Sequence, residues 1–332
     1  MCAPDKPLTE PACTSLCSKL NELVLKKSAG MVNLVTPTAG TQTTDLRLVY
    51  DRYIRYLFLA SAILMSVIVL SIIFFMGQQG LQTFREVSPI EFFLSTKWDP
   101  LDEKFGAGSF IVGSVYAAIL AVVFGAPLGL AGAVFMAKIA PKRVRDIMRP
   151  ANDLYVAIPS VVYGYLGLTV LVPFLRDELK LGMGFGLFAA GLILGIMILP
   201  TVISISEDAL RSVPSSLEEA SIALGATRWQ TIWRVLIPTA MPGIMTAVIL
   251  AMARAIGETM AVQMVIGNTP LLANSLFSPT ATLTSEIVVE MGNAPFNTAY
   301  GNSLFLMALV LLIMSLLLII VIRGLIRKGE AL

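Results

Sequence analysis

The chain has 332 residues, 56% hydrophobic and only 14% charged, with a net charge of +2 and a mean hydropathy of +0.80. A soluble domain of this length needs far more polar surface than that, and nucleic-acid binding needs a concentrated basic face, so both classes are excluded. The composition is that of an all-α integral membrane protein, with membrane lipid as its first partner and no nucleic acid.

Residues 1–50 are polar, rich in Pro, Thr and Ser, and hold no long apolar core, so they read as a mobile cytoplasmic tail and not a signal peptide. Cys2, Cys13 and Cys17 all lie there. The chain has no histidine, which leaves the Cys13-x3-Cys17 spacing a weak metal signal beside the plainer reading of a solvated, reduced pair. No metal ligand set and no catalytic residue is expected.

Residues 51–332 form the membrane domain. Apolar runs at 56–76, 110–136, 154–175, 181–204, 240–267 and 303–322 each reach the ~30 Å of a hydrocarbon core at about 1.5 Å per residue, which predicts six transmembrane helices. The second contains Gly125-Ala126-Pro127-Leu128-Gly129, a kink that serves packing or a hinge. Pro159 and Pro173 interrupt the third, where Ser160 and Tyr163 are candidates to face a solute or to make ordinary interhelical contacts. Eighteen of the 24 Lys and Arg fall before the first run, in the loops after the second and fourth, and in the C-terminal tail. The positive-inside rule therefore puts both termini in the cytoplasm.

The cytoplasmic loop 207–238 carries two short helix patterns. Ser216 and Glu219 have the spacing of a capping box, followed by an apolar and small stripe at Leu217, Ala220, Ser221 and Leu224; Gly225 ends that helix. Thr227 and Gln230 repeat the box, Trp229, Ile232, Trp233 and Leu236 form the next stripe, and Pro238 is expected to stop the second helix. Such stripes pack on the protein's own membrane domain, on lipid or in a partner's groove.

The fifth run contains Arg254 and Glu258, costly groups at mid-bilayer. Four residues apart on a helix, they share a face and can pair, which would only hold helices together. The rival reading is an anion path. The guanidinium fork grips a phosphate through two hydrogen bonds, and Glu258 tempers it and accepts from a protonated oxyanion. Gly257 opens the backbone nearby, and Thr259 adds a hydroxyl. Beyond it, the loop 268–302 holds Glu286 and Glu290 one turn apart, no Lys or Arg, and a short helix near 283–291 that would receive a partner or cover an external gate.

Two sets of residues carry a resemblance. Glu219-Ala220-Ser221, three residues, Gly225, nine residues, then Val235-Leu236-Ile237-Pro238 resembles the EAA loop of ABC importer permeases. Arg254 with Gly257-Glu258-Thr259-Met260-Ala261-Val262 and Ile266-Gly267-Asn268-Thr269 is similar to permeases of the phosphate-specific ABC importer, of the C type more than the A type. So are Pro159-Ser160-Val161-Val162-Tyr163-Gly164 and Lys97-Trp98-Asp99-Pro100. The resemblance implies a six-helix type I importer permease fold (MetI-like) in a bacterial inner membrane. It also implies an A-type permease partner, an ATPase dimer contacted through Glu219, Ala220, Gly225 and Trp229, and a periplasmic phosphate-binding protein. The chain contains no G-x4-G-K-[ST] pattern, so ATP and Mg belong to the ATPase and no cofactor to this chain. Another oxyanion as cargo is the nearest alternative, and a secondary transporter or anion channel a more distant one.

Overall fold

A computed structural model describes residues 43–329, with side chains from Tyr50 to Gly324 apart from Asp51. The tail with its three cysteines lies outside these residues. The chain divides into two compact units, up to Leu70 and from Ser71.

Helix α1 is Thr43–Gln82, and its run from Arg52 to Arg85 is long and apolar enough to span. It starts thirteen residues before the expected 56–76 because Thr43 to Arg55 is polar but free of Gly and Pro, so nothing stops the helix before the apolar run. In the second unit α2 (Pro89–Leu94) starts on Ser88, whose hydroxyl accepts from the Glu91 N–H at 3.2 Å, with proline at the first helical position. A two-residue hairpin follows, β1 (Trp98–Asp99) against β2 (Lys104–Phe105). The Trp98 ring packs edge-on against Phe105 and Phe110 at 5.5 and 5.3 Å, the centre of an outer core that also takes in Phe92, Leu283 and Leu304.

Helix α3 (Gly108–Val134) runs unbroken through Pro127 and ends in a π turn at Phe135–Ile139. It packs along α6 (Leu187–Ser212) through small residues. A Cβ on Gly125 would stand 2.7 Å from the Gly195 carbonyl and 2.6 Å from Ile198 Cγ1, so glycine here is what lets the two backbones approach. Gly125 is therefore a packing residue, and the expected kink is not a break in the helix.

The third, fourth and fifth expected helices differ from the structure. The third is two pieces, α4 (Lys142–Ala157) and a run opened by α5 (Ser160–Leu166) that continues through π turns to Glu178, bent by 89°. Ile158 is extended because it precedes Pro159, whose ring excludes the helical conformation one residue earlier. The fourth starts at Leu187, not 181: Gly182 and Gly184 take positive φ, +59° and +81°, and make a turn instead. The fifth begins at α8 (Arg228–Thr231), passes through a π turn at Ile232–Leu236 into α9 (Ile237–Gly257), and breaks before α10 (Met260–Val265). Pro238 does not stop it. It directly follows the π turn at Ile232–Leu236, and the helix continues through it. The remaining elements are α7 (Ser215–Ala223), α11 (Leu283–Glu290), within the expected outer helix, and α12 (Ala299–Gly329). Five described helices are long and apolar enough to span, and the bent pair makes a sixth.

Candidate functional site

The break in the fifth span is the centre of the site. Helix α9 ends at Gly257, and Glu258 turns off with φ −72° and ψ 127°. Arg254 and Glu258 therefore do not share a helical face, and among the described residues Arg254 has no carboxylate within ion-pair distance. The pairing that their spacing allows does not form, because spacing sets a common face only while the helix continues. Half-buried in the last turn of α9, Arg254 has one polar contact, a long one from Nη1 to the Thr201 hydroxyl on α6 at 3.5 Å.

Glu258 instead serves the other side of the break. Its Oε1 accepts from the Ala261 N–H at 3.3 Å, which satisfies a donor at the start of α10. The freed carbonyls are taken up by hydroxyls. Thr259 donates to the Gly257 carbonyl at 3.3 Å, and Thr284 of α11 donates to the Glu258 carbonyl at 3.1 Å. A Cβ on Gly257 would meet nothing within 4 Å, so this chain leaves open space beside the break.

The bend between α4 and α5 lies against the same region. Ser160 starts α5, and buried Tyr163 donates from its hydroxyl to the Tyr155 carbonyl at 2.9 Å, closing the bend. A Cβ on Gly164 would stand 2.9 Å from Ala261 Cα, so α5 and α10 pack backbone to backbone. Arg254 is near enough to act electrostatically on the Tyr163 phenol. Arg254, Glu258, Thr259 and Tyr163 thus come together, with Ser160 one helical turn from Tyr163. Thr201 and Thr284 were not expected in this group, since lone threonines in apolar runs carry no pattern of their own.

At the other end of the fifth span, Thr227 and Gln230 form the expected capping box, and Gly225 turns the chain with φ +84°. The box expected from Ser216 and Glu219 does not form. Helix α7 begins two residues earlier than that box requires, at Ser215 after Pro214, so Ser216 is already inside its first turn and Glu219 is exposed. It is Glu218 that reaches inward, to Lys138 Nζ at 2.7 Å. Ala220 and Gly225 line a cleft of about 530 Å³ with Leu217, Leu224, Gln230 and Arg234. Trp229 faces elsewhere, with its ring 5.8 Å from that of Trp233.

Two further polar groups sit beside this frame. Glu207, 1% exposed on α6, has Arg149 Nε at 3.4 Å and Arg211 closer still, while Arg149 Nη2 reaches Asp208 at 2.7 Å; the cluster fastens α4 to α6. The order of Glu207 before Arg211 at i, i+4 is the sequence signal that would have found it. On α11, burial and then the charge of Glu290 push the Glu286 carboxyl up to about 7.

Residues 125–328 match the family model described as "Binding-protein-dependent transport system inner membrane component". The chain is 50% identical over 273 residues to the "Probable ABC transporter permease protein YqgH" of Bacillus subtilis (strain 168), covering 81% of this chain and 88% of that one. It is 36% identical over 294 residues to the "Phosphate transport system permease protein PstC" of Mesorhizobium japonicum, covering 82% and 88%. Its fold is similar to that of a chain of the MetNI methionine ABC transporter, with a TM-score of 0.51 and 22% identity over 73% of this chain and 98% of that one.

Because Arg254 and Glu258 are not paired, a double-mutant cycle on thermal stability with Arg254→Gln and Glu258→Gln should give a coupling below about 0.5 kcal/mol. A coupling above about 1 kcal/mol would show that the two interact. Glu286 binds its proton more tightly folded than unfolded, so its contribution is complete below its ordinary value of 4.5 and is lost as pH rises through about 7. The thermal midpoint should fall between about pH 5 and 8, and Glu286→Gln should flatten that part of the profile.

Proposed function

Because the chain belongs to the family of binding-protein-dependent transport system inner membrane components, we propose that it is one of two permeases of an ATP-driven importer of inorganic phosphate. It is a multi-pass transport subunit and not an enzyme. Its place is a bacterial inner membrane, with both termini cytoplasmic. An A-type permease completes the pathway, an ATPase dimer that holds ATP and Mg drives it, and a periplasmic phosphate-binding protein delivers the cargo. The similarity to PstC supports phosphate among the oxyanions.

One observation carries the reading: Arg254 sits in the last turn before a break in a spanning helix, with no carboxylate among the described residues to neutralise it and with open space at Gly257. A cation kept unpaired in an apolar segment has a use if it meets an anion in passing, and polar backbone at membrane depth is tolerated where it lines a cavity. The guanidinium binds the phosphate oxygens, and the Glu258 carboxylate, one oxygen of which caps α10, accepts from the P–OH of hydrogen phosphate. Sulfate has no such proton and meets that carboxylate acceptor to acceptor.

Coupling follows from the unbroken helix between Arg228 and Gly257. A push on the Ala220–Gly225 cleft by the ATPase tilts this helix as a rigid body and carries Arg254 with it. Exposed Glu219 is the residue that meets the ATPase, and Trp229 steadies the base of the helix.

The test is labelled-phosphate uptake in cells lacking their own high-affinity system, supplied with this chain and its partner subunits. Arg254→Gln should lower uptake at least about tenfold, the loss of one charge-assisted contact, while a P-loop ATPase still co-purifies. Glu258→Gln, which keeps an oxygen for the α10 cap, should retain uptake and let sulfate compete. Normal uptake by Arg254→Gln would make the arginine structural, and a wild-type complex that takes up no phosphate would overturn the cargo.

A further inference from the structure

The coupling end of the fifth span leaves a cavity of about 270 Å³ against the end of α3. Its wall is apolar throughout, with Leu130, Val134, Ile139, Trp229, Trp233 and Ile237 among the lining residues. Trp229 and Trp233 stand one turn apart, edge to face, and both are more than half exposed, as is Ile139. The walls belong to segments with the length and hydropathy of membrane spans, Gly108–Ile139 and Arg228–Gly257. An apolar slot between such segments, with exposed tryptophans at its edge, suits acyl chains, and indole rings favour the boundary between hydrocarbon and headgroups.

The chain also supplies charge beside the slot. Arg228 immediately precedes Trp229, and Lys142 and Arg143 follow Ile139 by three and four residues at the start of α4. All three are exposed, and none has an ion-pair partner among the described residues, whereas nearby Lys138, Arg149 and Arg211 are each paired. Unpaired cations beside an apolar slot at a membrane surface match an anionic lipid, phosphate outward and chain inward.

We propose that this cavity holds an acyl chain of an anionic phospholipid, with the headgroup phosphate at Arg228, Lys142 and Arg143. The site is separate from the Ala220–Gly225 cleft, which Gln230 and Arg234 help to line; the wall of the tryptophan slot is apolar. The bound lipid fills the space between α3 and the base of the coupling helix, so that a push on α8 moves a packed unit.

The test uses the full chain with the subunits that accompany it, in nanodiscs of phosphatidylcholine containing either brominated phosphatidylglycerol or brominated phosphatidylcholine at graded mole fraction. The signal is the part of the tryptophan fluorescence that disappears in the Trp229→Phe, Trp233→Phe variant, which isolates this site from Trp98 and the partner chains. Brominated phosphatidylglycerol should quench that part at a mole fraction lower by about fivefold for each cation engaged, and joint substitution of Arg228, Lys142 and Arg143 by Gln should bring it to the phosphatidylcholine level. Equal quenching by both lipids would reduce the site to ordinary annular contact. No quenching by either would mean that a protein surface covers the tryptophans. Either result overturns the proposal.

Discussion

A spanning helix can break inside a bilayer only if every backbone group it frees finds a partner, because hydrocarbon offers none. At the interruption between Gly257 and Met260, its own side chains and one neighbour take up three of the freed groups. The Glu258 carboxylate takes the Ala261 N–H, the Thr259 hydroxyl takes the Gly257 carbonyl, and Thr284 takes the Glu258 carbonyl. The last bond is why the outer helix α11 is part of the site. That helix is set in turn by a reciprocal cap between Thr282 and Ser285 and by the Ser114 hydroxyl accepting from Leu283 N–H at 2.9 Å. From the other side, Gly164 lets α5 lie on α10, and the Tyr163 hydroxyl holds α5 at its bend. The surroundings of Arg254 are thus specified from several directions at once.

The same frame joins the break to the far end of the fifth span. From Arg228 to Gly257 the fifth span is helical throughout, about 45 Å at 1.5 Å per residue. Its base is tied to α7 through the Ser221 and Thr231 hydroxyls at 3.0 Å, and α7 to the end of α3 through Lys138 and Glu218. A core of Val134, Leu210, Ile232, Leu236 and Ile244 packs this end of the helix against α3 and α6. Packed and bonded in this way, α7 and the base of the fifth span form one unit.

Much of this was legible in the sequence where a local rule acts alone. The Thr227–Gln230 cap, the Gly225 turn and the outer helix near residue 283 each follow from neighbouring residues, and the hydropathy runs located the spans. What the sequence obscured were events decided by distant partners. The run through Arg254 and Glu258 reads as one helix, because nothing local says that Thr284, 26 residues on, will receive the Glu258 carbonyl. The Ser216–Glu219 cap lost to a start two residues earlier, and it is Glu218 that reaches Lys138 across 80 residues. The 89° bend at Pro159 was visible as a proline but not as an angle, since its size depends on how α5 meets α10.

The central claim is that the break beside Arg254 opens on the route of an anion. In a chain with Cys2, Cys13 and Cys17 replaced by serine, a single cysteine at Gly257 would be exposed in membranes to a negatively charged, membrane-impermeant thiol reagent. The account predicts that the cysteine reacts in the assembled transporter and that phosphate slows the reaction. A cysteine that stays unlabelled under both resting and ATP-hydrolysing conditions, in a complex that still transports, would place the break against lipid or protein and contradict it.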